Sequence, residues 1–111
     1  QYKEIHENFI LASMAQNSFM KESEDFASLI QYNMNKNLSK YSKDRGVKQA
    51  GFHVLVGASM PNVLVEVGFL SNKKEANNLS KSFYRRKIAE SIYASILDFK
   101  VKYEKPLLYD K

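Results

Sequence analysis

The stretch Met60-Pro61-Asn62-Val63-Leu64-Val65-Glu66-Val67-Gly68-Phe69-Leu70-Ser71-Asn72 constrains this chain more than any other. Six residues between Val63 and Leu70 are apolar, and four of these are β-branched or aromatic. Such a run reads as a strand buried on both faces. One carboxylate, Glu66, sits in its middle. A carboxylate taken out of water needs a cation, donors or a metal-bound water to meet its charge. Gly68 follows on the same strand face, where a missing side chain lets another group approach the backbone beside Glu66. Asn72 then opens a helix, and Glu75 stands three residues later at capping-box spacing.

A strand apolar on both faces needs neighbours. Residues 52–56 form one candidate, and the central strand runs over 63–69. Only six residues, 57–62, separate them. A parallel crossover takes roughly a dozen residues or more, so the two are antiparallel if they are adjacent. Two strands cannot make a stable sheet with both faces covered. Partner strands are therefore expected in sequence preceding Gln1. The chain opens on Gln1 inside polar, helix-like sequence, and reads as part of a longer protein.

The helices show in the periodicity. Ile5, Phe9, Ile10, Ala12 and Met14 make an irregular helical pattern. Phe19, Phe26, Leu29, Ile30, Met34 and Leu38 fall on one face and predict a helix over about 17–37. A short helix is expected from Lys73 to about Leu79. The last helix carries the stripe Ile88, Ala89, Ile92, Ile96, Phe99 and Tyr103, and Pro106 is expected to stop it. Tyr84, Tyr93 and Phe99 are expected in the core.

At 111 residues and 44% hydrophobic, the chain supports one small domain with one core. Cysteine is absent, which excludes a disulfide framework and thiolate metal sites without fixing the compartment. No run is long and apolar enough to span a membrane. The net charge of +5 suits ordinary solubility or attraction to a polyanion. Its densest cluster is Arg85-Arg86-Lys87, and no aromatic residues interleave with the basic ones in the way that grips nucleic acid.

The residues also carry a family resemblance. Arg45-Gly46-Val47-Lys48-Gln49-Ala50-Gly51-Phe52, Val54-Leu55, Met60-Pro61, Val63-Leu64-Val65-Glu66, Gly68-Phe69, Ser71-Asn72 and Glu75 resemble the C-terminal half of bacterial zinc-dependent N-acetylmuramoyl-L-alanine amidases. These are the type-3 cell-wall amidases used in daughter-cell separation. The similarity runs from about Glu22 to about Phe99. Its most specific part is the string Pro-x-x-Leu-Val-Glu-x-Gly-Phe-x-Ser-Asn over 61–72.

The resemblance implies an α/β fold with a twisted, mostly parallel sheet flanked by helices. This chain would supply the last two strands and about three helices. Residues 17–105 would be the C-terminal half of the catalytic domain, with 1–16 the end of a regulatory helical insertion and 106–111 a tail. The implied reaction hydrolyses the amide between N-acetylmuramic acid and L-alanine of peptidoglycan, in an exported protein of the periplasm or cell envelope. A zinc ion held by two histidines and a glutamate would activate the water, with Glu66 as the catalytic base. Arg45 and Asn72 are candidates for substrate binding. Both also have plain structural readings, in a turn before Gly46 and as a helix cap.

The chain departs from the family in one respect. The zinc-ligand motifs, with Gly-His-Gly and a later histidine, are absent, and only His6 and His53 occur. The ligands are expected before Gln1, in the N-terminal half of the same domain, and this chain alone is expected to be inactive. In division-type amidases a helical insertion covers the zinc until an activator protein moves it. Glu7 is a candidate for a carboxylate reaching the metal from such a helix, or a solvated helix residue. The alternative to an enzyme is a non-catalytic regulatory or binding module that keeps half of the amidase fold.

Overall fold

A computed structural model describes residues 19–47 and 59–109, with side chains as far as Glu104. Helix α1 is Met20–Leu38, α2 is Lys73–Leu79 and α3 is Ser82–Tyr109. The first two lie within a few residues of their expected bounds. Glu22 in the first turn of α1 and Lys36 in its last complement the helix dipole.

Helices α1 and α3 lie side by side and run antiparallel, because contacts that descend along α1 ascend along α3. Leu38 clusters with Tyr84 and Ile88. Asn37 donates to Ser91 Oγ at 2.8 Å and Asn33 donates to Ser95 Oγ at 2.9 Å. Phe26 meets Phe99 with ring centroids 4.8 Å apart. Beyond them, Asp25 accepts hydrogen bonds from Tyr103 Oη and, at 3.0 Å, from Lys102 Nζ. Met34, Tyr41, Val67, Leu79 and Ile92 close around the Leu38–Tyr84–Ile88 cluster.

The seam is more polar than its periodicity suggests. Ser91 and Ser95 are wholly buried. Their small side chains let the backbones approach, and each hydroxyl also donates within α3, to Lys87 O and Ser91 O, both at 2.7 Å. Both serine hydroxyls are thus satisfied, as burial requires. These serines displace part of the expected stripe. Ala89 and Ile96 are exposed, as is Tyr93 at 63%, while Tyr84 is fully packed. Pro106 does not end α3, which continues to Tyr109. Proline removes one intrahelical donor and can kink a helix without terminating it.

The α/β expectation is overturned. Among the described residues there is no strand and no sheet. Residues 61–69 form neither helix nor ladder, and the expected first strand, 52–56, lies outside the described residues. A strand exists only through backbone bonds to a neighbour. Here the amides at the two ends of the segment go to side chains. Asn62 N–H donates to Ser23 Oγ at 3.0 Å and Phe69 N–H donates to Glu75 Oε2 at 2.8 Å.

The Asp25–Tyr103 contact makes α1–α3 packing sensitive to alkali. Its hydrogen bond to Asp25 pushes the Tyr103 hydroxyl from an ordinary 10.0 up to about 12. The folded chain then holds a proton that the unfolded chain releases, so this contribution is full below about pH 10 and fades as pH rises through about 12. Thermal unfolding followed by circular dichroism should show Tm falling across that window, with a visibly shallower fall in Tyr103→Phe.

Candidate functional site

Segment 61–69 reaches its position through its two ends. Pro61 enters it, and the Asn62 amide ties to Ser23 on α1. Its apolar residues then alternate. Val63, Val65 and Val67 are half-buried, while Leu64 and Glu66 are exposed. The run is therefore covered on one face instead of two. Between this segment, α1 and loop 42–47 lies a cleft of about 380 Å³. Its apolar lining includes Ile30, Met34, Leu38 and Val67, and Glu66, Lys43 and Arg45 line it too.

Glu66 corrects the expectation of a buried carboxylate. It stands exposed on the cleft, and among the described residues no ion pair engages it. No described segment covers the face on which it lies.

The close approach expected at Gly68 is made by the chain's own helix α2. A Cβ at Gly68 would lie 3.5 Å from both Glu75 Cβ and Leu79 Cδ1. Those are ordinary contacts, so space is not the constraint. The constraint is backbone conformation, since Gly68 has φ +151°, which side-chain-bearing residues rarely adopt. That turn aims the next amide, Phe69 N–H, at Glu75.

Asn72 caps α2, its Oδ1 accepting Glu75 N–H at 3.1 Å. It does not line the cleft. The reciprocal half of the capping box is missing. Asn72 N–H donates to Phe69 O at 3.1 Å, which frees the Glu75 carboxylate for other partners. One oxygen accepts from Phe69 N–H, and Oε1 pairs with Arg45 Nη2 at 2.5 Å. The two donors, the Phe69 amide first and Arg45 second, hold the Glu75 carboxyl below its ordinary value of 4.5.

Arg45 sits in a turn. Gly46 follows at φ +80°, and Asp44 Oδ1 accepts both the Gly46 N–H at 2.7 Å and a hydrogen bond from Gln31. The Arg45 guanidinium lies 4.6 Å from the centroid of the Phe69 ring, a cation–π distance. Its side chain remains 41% exposed. The structure thus brings Arg45 and Glu66 to one cleft and adds Glu75 behind it. Glu75 read in sequence as a cap residue, and nothing local pointed to a partner thirty positions earlier.

His6, His53 and Glu7 lie outside the described residues. Among the described residues no group of three or more His, Cys, Asp or Glu could hold a metal ion. No described helix is long and apolar enough to cross a membrane.

Comparison with known proteins identifies the class. The family model described as N-acetylmuramoyl-L-alanine amidase matches residues 4–98. The chain belongs to that family of type-3 cell-wall amidases. It is 39% identical over 83 residues to an uncharacterised cell wall amidase of Bacillus anthracis, covering 75% of this chain and 15% of that protein. It is 36% identical over 77 residues to the N-acetylmuramoyl-L-alanine amidase LytC of Bacillus subtilis, covering 69% and 15%. With AmiC of Escherichia coli, an N-acetylmuramoyl-L-alanine amidase, identity is 35% over 83 residues, covering 75% and 19%. The chain therefore spans less than a fifth of the length of these relatives. No solved structure matches it.

Two outcomes test the site's construction. Gly68→Ala should cost about 1–3 kcal/mol of stability from backbone strain alone, read by denaturant unfolding. Glu75's lowered pKa gives stability that is present above about pH 4.5 and lost as pH falls through the folded value. Acid titration of Tm should show that loss, and Glu75→Gln should flatten it.

Proposed function

We propose that this chain is part of a peptidoglycan hydrolase that cleaves the amide between N-acetylmuramic acid and L-alanine. Glu66 is its general base. The observation that carries this reading is Glu66 itself, an exposed carboxylate on the cleft, with no ion pair among the described residues, inside the stretch the family model matches. Its Oε takes a proton from the water that attacks the amide carbonyl carbon, then delivers it to the amide nitrogen as the C–N bond breaks. The products are a lactyl carboxylate and a peptide with a free L-alanine amine.

Zinc is the cofactor this reading calls for, to activate the water. The described residues do not supply its ligands, which would come from outside them. Arg45 serves as the substrate-binding residue, its guanidinium suited to a carboxylate. Asn72 acts through the cap of α2. The setting is the cell envelope, in wall remodelling and daughter-cell separation.

Full-length protein carrying Glu66→Ala should bind zinc in the normal ratio and lose peptide release from muropeptides by about 10²–10⁴-fold. Zinc content by atomic absorption and product release by chromatography check both halves. Retained release would remove Glu66 from the reaction.

A further inference from the structure

Glu75 is the buried carboxylate among the described residues, at 7% exposure, and it is absent from the cleft wall. Its contacts nevertheless reach two parts of that wall, the Arg45 guanidinium and the backbone of Phe69. We propose that Glu75 is a positioning residue for substrate specificity, fixing Arg45 so that its free N–H groups receive one carboxylate of the substrate's peptide. The inference rests on the amidase reading above and extends it to the part of the substrate that is recognised.

The geometry supports this in three ways. Arginine has five N–H donors in a planar fork, and the ion pair to Glu75 uses Nη2. The Phe69 ring holds the plane of the fork from one side. The side chain is still 41% exposed and lines the cleft, so donors remain available there. A free arginine would lose much rotamer entropy on binding; one held by an ion pair and a ring has lost it already, which is preorganisation. Lys43 also lines the cleft, as do the carboxylates of Glu24 and Glu66, while the Asp44 carboxylate is taken up by Gly46 N–H and Gln31. A planar anion with two oxygens is the ligand such a fork matches best.

The test is steady-state hydrolysis by the full-length enzyme of two soluble muropeptides, alike except that the peptide carboxylates are free in one and amidated in the other. Wild type should favour the free acid in kcat/KM by about tenfold to a hundredfold, the range for a charge-assisted hydrogen bond. Glu75→Gln can still accept Phe69 N–H through its amide oxygen but loses the ion pair. It should raise KM for the free acid by about tenfold, keep kcat within about twofold and erase the preference. Arg45→Gln should do the same, and the double variant should be no worse than the worse single one. A purely structural Glu75 would instead lower apparent kcat through loss of folded enzyme, with KM and preference unchanged, and that result overturns the proposal. Should Glu75→Gln fail to fold, Arg45→Gln decides alone, since unchanged KM and preference there also overturn it. Equal use of both muropeptides by wild type does so as well. A wild type that cleaves neither sinks the amidase reading itself, and this inference with it.

Discussion

Burying a carboxylate without donors to meet its charge is costly, and the way Glu75 meets this requirement organises the region around the cleft. One oxygen takes the Phe69 amide and the other takes Arg45. Three pieces are joined as a result: loop 42–47, segment 61–69 and helix α2. Gly68 is part of the same arrangement, because only its unusual φ turns the Phe69 amide toward the carboxylate. Glu66, three residues before that amide, inherits its position from the same bond.

The cleft also needs a floor, and the α1–α3 pair provides it. That seam combines a small apolar cluster at Leu38, Tyr84 and Ile88 with buried serines bonded to Asn33 and Asn37. Apolar contact is non-directional, whereas these hydrogen bonds are satisfied in one register only. The polar pairs therefore set which residues of the two helices face one another, and the apolar cluster supplies most of the driving force. The Tyr103–Asp25 contact fixes the far end.

Legibility followed the range of the interaction. Helix α2 and its Asn72 cap could be read from the chain because both partners lie within four residues. The helical face of α1 was equally clear, since its spacing is a local property. On α3 the stripe was half right. Ile88 and Tyr84 were legible, but Ser91 and Ser95 look like surface residues until Asn33 and Asn37 are placed against them. Tyr93, apolar enough for a core, faces outward because the seam lies on the other side. Pro106 reads as a stop, although one lost donor did not end the helix.

The candidate site divides in the same way. The sequence by itself determined that Glu66 lies in an apolar run, that Gly68 follows it and that a capped helix comes next; these are matters of residue type and spacing. It also carried the family string over 61–72. Tertiary structure decided that the run is covered on one face only, that Glu66 is exposed on a cleft and that α2 fills the space beside Gly68. It also decided that Arg45 pairs with Glu75. The Arg45–Glu75 pair joins groups thirty positions apart, and no local preference encodes such a meeting.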